Sequence, residues 1–196
     1  MAFQNRVNPY GQICFSTSRG NLMGNRGCLH NDKQQITKSF KNKNWIICVL
    51  NFKDRKRQLM SKGCYTELFF WDEATALSAG HRPCAECQRG RFNIFKGLWK
   101  SANNQLDATT GKMDEFLHFE RESTENSYLK FNELPDGAMF EYDGKPFLVY
   151  KNQMCEWTFS GYLSPIEPLS NISFRVLTPF SIIKTIQAGY APTIIL

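Results

Sequence analysis

The chain has no apolar run long enough to cross a bilayer. Its longest, around residues 45–50 and at 194–196, fall far short of the roughly 20 residues that a spanning helix needs. The opening Met-Ala-Phe-Gln-Asn-Arg lacks the apolar h-region of a secretory leader, which predicts a cytoplasmic protein with no membrane partner. Internal repeats and low-complexity segments are missing too, which excludes a repeat architecture. Nor is there an even set of cysteines. The seven are Cys14, Cys28, Cys48, Cys64, Cys84, Cys87 and Cys155, and an odd number without a leader argues against a disulfide framework. Six of them precede residue 90, a clustering that favours metal binding over scattered core thiols.

What is present is a globular composition. The 196 residues are 42% hydrophobic with sixteen Phe, seven Tyr and four Trp, enough for one sizeable core or two small ones and unlike a disordered tail. Charge is unevenly spread. Residues 1–100 hold 17 Lys and Arg against 6 Asp and Glu, a net of +11, while residues 101–196 hold 7 against 12, a net of −5. A basic half of this kind is an electrostatic footprint for a polyanion; otherwise it is a solvated face without a partner.

The most informative segment is Gly80-His81-Arg82-Pro83-Cys84-Ala85-Glu86-Cys87. Two cysteines three apart turn both sulfurs toward one point, and without secretion that point is a metal, zinc first. A structural zinc needs four ligands. Upstream candidates are Cys28, His30, Cys48 and Cys64, and the set chosen is His30, Cys48, Cys84 and Cys87. Cys28, two positions from His30, is the alternative to it. The competing readings are two buried thiols or a redox pair, although no βαβ order surrounds the motif as a thioredoxin-like site requires.

Local patterns place these residues. Residues 45–52 and 66–71 read as buried strands, joined by the basic turn Lys53-Asp54-Arg55-Lys56-Arg57. Asp72 suits an N-cap, 74–79 a helix, and Gly80 the left-handed position that ends it. Phe92, Phe95, Leu98 and Trp99 form one helical stripe, which reads as core packing. Residues 101–112 read as a linker. Beyond it, short strands are expected at 139–142, 146–150, 156–159 and 174–177, with an Asp143-Gly144 hairpin turn, then a helix over 179–188 closed by Gly189. The expected fold is α+β: a small zinc-binding α/β part at 1–103 packed with a β-rich part at 104–196.

Residues 68–87 resemble the zinc-binding domain of Ada-type DNA-repair proteins: a strand ending in aromatics, a short capped helix, then Gly, Arg-Pro and CxxC. The match covers about twenty residues. It implies zinc at Cys84 and Cys87 and contact with DNA phosphates, and methyl-acceptor activity would fall to Cys48. The family holds zinc with four cysteines, the upstream pair spaced C-x3-C. This chain departs from that pattern, since Cys48 has no partner at that spacing.

A second cluster lies at Asp114, His118, Glu120 and Arg121. On a helix, Asp114, His118 and Arg121 share a face, an arrangement usable for general-base or phosphate chemistry. Its ordinary reading is helix surface with charges placed as the macrodipole prefers. His81 is expected to pack beside the metal knuckle and Arg82 to pair with a thiolate or phosphate. Arg19, Arg26, Arg55, Lys56, Arg57, Arg82, Arg89 and Arg91 are the candidate phosphate contacts. The leading function is thus a zinc protein binding nucleic acid, DNA before RNA. The alternatives are a metal-dependent nuclease or repair enzyme using the second cluster, and an interaction module whose zinc only holds the fold.

Overall fold

In the computed structural model, which describes residues 2–54, 58–123, 127–169 and 172–196, the chain forms two six-stranded sheets joined by helices. The first half supplies β1 (Gln4–Val7), β2 (Ile13–Phe15), β3 (Leu22–Asn25), β4 (Ile46–Cys48), β5 (Leu68–Phe70), α1 (Glu73–Ser78) and β6 (Arg82–Pro83). Then come α2 (Arg89–Ala102) and α3 (Thr110–Glu122). The second half contains β7 (Tyr128–Lys130), a 3-10 turn, β8 (Met139–Tyr142), β9 (Lys145–Tyr150), β10 (Gln153–Thr158), β11 (Gly161–Tyr162), β12 (Ser173–Val176) and α4 (Phe180–Gln187). The class is mixed α+β, as the sequence indicates.

The first sheet runs β2-β1-β5-β3-β4-β6 and the second β11-β10-β9-β8-β12-β7. Sequence pattern explains most of the second. Asp143 and Gly144 both take positive φ, +50° and +70°, as a two-residue hairpin requires, and they set Tyr142 opposite Lys145. Lys151 and Asn152 repeat the device, also with positive φ, between β9 and β10. Helix α1 begins as expected: Asp72 Oδ1 accepts from Thr75 N at 2.9 Å, and Gly80 follows the helix at φ +78°. The stripe on α2 is core, with Phe92, Phe95 and Trp99 buried.

The expected boundary at 103/104 falls in the turn between α2 and α3, and the core crosses it. One cluster of buried side chains joins Val7, Ile47, Phe70 and Leu77 with Met113, Leu117, Ile182 and Tyr190. Another packs Ala74 of α1 against Met139, Leu148 and Trp157 of the second sheet. The expected linker at 101–112 is shorter than its polar composition suggests. Its ends belong to α2 and α3, and Ala108 between them is buried. No helix among the described residues is long and apolar enough to cross a membrane.

Asp72 and Glu73, adjacent and buried, bind the two halves. Asp72 Oδ2 accepts from Tyr162 Oη at 2.9 Å and from Ile195 N. Glu73 takes hydrogen bonds from Arg91, Tyr190 and Thr193 N. Replacing Asp72 by Ala removes the helix cap and strands Tyr162, so unfolding in urea should show a loss of about 2 kcal/mol. A loss below the scatter of the measurement would refute this role.

Candidate metal centre

The position of the sulfurs follows from strand pairing. Strands β4 and β6 lie parallel, with Ile46 opposite Arg82 and Ile47 opposite Pro83, and Cys84 N donates to Ile47 O at 2.9 Å. Cys48 and Cys84 are therefore the next residues on two adjacent strands. The turn at 85–88 that leads into α2 then brings Cys87 to the same point. Gln88 Nε2 fixes this turn by donating to Ile47 O at 2.8 Å.

The three Sγ atoms lie within 4.8 Å of one another. In a tetrahedron with bonds of about 2.3 Å, sulfurs sit about 3.8 Å apart, so this set can hold a metal ion after small adjustments. No other described His, Cys, Asp or Glu joins the group. The local backbone favours thiolate: Glu86 N donates to Cys84 Sγ at 3.4 Å, and Val49 contributes a backbone hydrogen bond to Cys87. The pKa of Cys84 is pulled down to about 5, first by the hydrogen bond from Cys48 and then by backbone donors against the effect of burial. Cys48 is pushed up because it donates to Cys84 and is buried. Burial also raises Cys87.

His30, expected as the fourth ligand, is not in this group. Its Nδ1 hydrogen-bonds Thr66 Oγ1 at 2.6 Å and its Nε2 the Ser61 carbonyl at 3.2 Å, so both ring nitrogens are engaged in holding the loop before β5. Cys28, the alternative, donates to His30 O at 3.7 Å and is likewise outside the group. A loop position reads identically in sequence whether it bends toward the strand pair or away from it. That is why proximity in the chain misled here.

The second cluster is dismantled by its partners. Asp114 does not orient His118. It forms a two-point ion pair with Arg82, both contacts 2.8 Å, and both residues are buried. Arg121 donates to Gly80 O and Lys43 O, each at 2.8 Å. Glu120 accepts from Ser181 N at 2.8 Å and from its hydroxyl, satisfying donors at the start of α4. His118 stacks edge-on against Phe40 with centroids 5.0 Å apart. The four side chains named for catalysis thus hold elements together.

Several expected phosphate contacts are also structural. Arg82 is the ion-pair partner just described. Arg91 is tied to Glu73, Tyr190 and Ala191 O. Arg26 is 1% exposed; its guanidinium carbon lies 3.8 Å from the centroid of Trp45, and Arg121 lies over the same ring at 4.1 Å. Burial, with Arg121 nearby, lowers Arg26 to about 9. His81 is fully buried, accepts from Arg26 Nε at 3.1 Å, and is pushed well down by burial and by Arg26 and Arg121, so it packs as a neutral ring. Arg19 and Arg89 remain exposed. Arg55, Lys56 and Arg57 lie outside the described residues. Sequence reading overlooked Lys38, Lys41 and Lys43, all exposed on the loop that enters β4. Their spacing, three cations in six residues, was the available signal. No family model, no curated protein and no solved structure matches this chain.

Two outcomes follow. Before metal is added, iodoacetamide at pH 6–7 should label Cys84 ahead of Cys14, Cys28 and Cys64, and labelling should fade as pH falls through about 5, because only the thiolate reacts. Peptide mass mapping reads the order, and equal rates at all four would refute it. Asp114→Ala leaves Arg82 charged and buried, which should lower unfolding free energy by about 3 kcal/mol or more, measured by urea denaturation.

Proposed function

We propose that this chain is a cytoplasmic zinc protein that docks on a nucleic-acid backbone, DNA before RNA, with the basic face of its N-terminal half. The single observation that carries the proposal is the meeting of Cys48, Cys84 and Cys87 at one point. Three thiolates suit zinc, a borderline-soft ion that accepts sulfur ligands and needs no redox partner. The order that resembles the Ada-type domain supports the same reading. Residues 68–87 run through β5, the Asp72-capped α1, Gly80, Arg82-Pro83 and the paired cysteines.

The nucleic-acid part rests on charge distribution. Of the cations in the basic half, Arg26, Arg82 and Arg91 serve the fold, and Lys53 and Lys62 face Glu86 and Asp32. Arg19, Lys38, Lys41, Lys43 and Arg89 are exposed. The lysine loop is held in place from below: Lys41 N and Asn42 N donate to Arg26 O, and Arg121 grips Lys43 O. Cations on an anchored loop lose little freedom on meeting phosphates, so binding retains more of its electrostatic gain. The metal strand begins three residues after Lys43, which couples the order of the loop to that of the centre.

Elemental analysis of the purified chain should give one zinc per molecule, reduced strongly by Cys48→Ser and unaffected by His30→Ala beyond any loss of folded protein. Fluorescence anisotropy with a short DNA duplex should show affinity falling linearly with salt on logarithmic axes. Reversing Lys38, Lys41 and Lys43 to Glu should flatten that slope by about 0.9 for each phosphate that is no longer neutralised. Absence of binding at low salt would exclude the nucleic-acid reading, and metal content equal in wild type and Cys48→Ser would exclude the zinc centre.

A further inference from the structure

The Ada-type pattern closes its metal with a fourth cysteine four positions after the first. Counting from Cys48, that position is Phe52. The space near it is a cavity of about 250 Å³ lined by Cys48, Cys84 and Cys87 together with Phe52, Phe69 and Glu67. A set of three protein ligands beside a cavity is the arrangement of zinc sites that keep an open position; structural sites are closed by four.

Glu67 supplies an independent observation. It is 3% exposed. Its Oε2 accepts from Met60 N at 2.8 Å, while Oε1 is buried with no hydrogen-bond partner among the described residues. A buried acceptor of that kind is costly unless some donor reaches it. Glu67 is outside the group of close metal-binding atoms but is among the residues lining the same cavity, so it sits beside the sulfurs without closing the tetrahedron itself.

We propose that the metal held by Cys48, Cys84 and Cys87 keeps an exchangeable fourth position opening into this cavity. It takes a small neutral donor molecule whose N–H or O–H group is accepted by Glu67. Charge selects the class. Three thiolates around a divalent ion leave the centre at −1, which disfavours a further anion in a partly buried site. Size permits it as well: water occupies about 30 Å³ in the liquid, so the cavity of about 250 Å³ has room for a nitrogen heterocycle, and Phe52 and Phe69 offer apolar walls to its body. Water fills the position at rest, and a heterocycle of imidazole size replaces it. This inference rests on the zinc reading above and goes beyond it, because a closed structural site would satisfy that reading equally.

The test uses the full chain loaded with zinc or cobalt(II). X-ray absorption on the zinc protein should show three sulfurs and one nitrogen or oxygen. Added imidazole should shift the visible d–d bands of the cobalt protein saturably, and azide should do so far more weakly. Glu67→Gln keeps an oxygen for Met60 N while exchanging the free acceptor for an N–H donor. It should weaken imidazole binding about tenfold or more with metal content and thermal midpoint unchanged. Four sulfurs around zinc, or cobalt bands indifferent to imidazole, would overturn the open position and leave the zinc centre standing. A chain that binds neither metal would overturn both, and an unaltered imidazole affinity in Glu67→Gln would remove Glu67 from the site.

Discussion

Parallel pairing of two very short strands decides where the sulfurs meet. Strand β6 is only Arg82–Pro83, yet its register against β4 places Cys84 beside Cys48. Proline suits this position: it lacks a ladder donor and is confined to edges, and β6 is the last strand of its sheet. Two residues of pairing are a weak hold on their own. Arg82 is anchored from the other side by the buried carboxylate of Asp114, and Gln88 ties the far side of the knuckle to Ile47. The meeting point of the three sulfurs is thus the end product of one backbone register and two side-chain anchors.

The anchors come from separate elements of the chain. Asp114 belongs to α3, and Arg121 of the same helix lies over the Trp45 ring and donates to Lys43 O. At the other end of α1, Glu73 gathers Arg91, Tyr190 and the backbone of Thr193. A basic half and an acidic half, distinct in composition, therefore share one interior. The charge asymmetry sits on the surface and says little about where a core begins or ends.

Which parts were legible in the sequence follows from the range of the forces involved. The α1 cap, the Asp143-Gly144 hairpin and the α2 stripe depend on residues within a few positions of each other, so pattern alone locates them. The CxxC pair was equally readable, and Cys48 could be named because it sat in an apolar run ending near the basic turn. His30 failed because its nitrogens answer to Thr66 and Ser61, partners more than thirty residues distant. Arg26 and Arg82 failed as phosphate contacts for the same reason. Arginine in a basic segment looks solvated until the fold supplies Trp45 or Asp114. Strands β1 to β3 escaped notice because their polar residues, such as buried Asn5, interrupt the alternation expected of a half-buried strand.

Arg121 carries a consequence of its own. One guanidinium holds the carbonyl of Lys43, just upstream of the strand bearing the first sulfur, and that of Gly80, just upstream of the turn bearing the other two. Helix α3 is therefore a brace across both approaches to the three sulfurs. Cleaving the chain between α2 and α3 and discarding the C-terminal fragment would not yield a self-sufficient module, since the excised piece would lack the crosspiece that keeps its two arms in step.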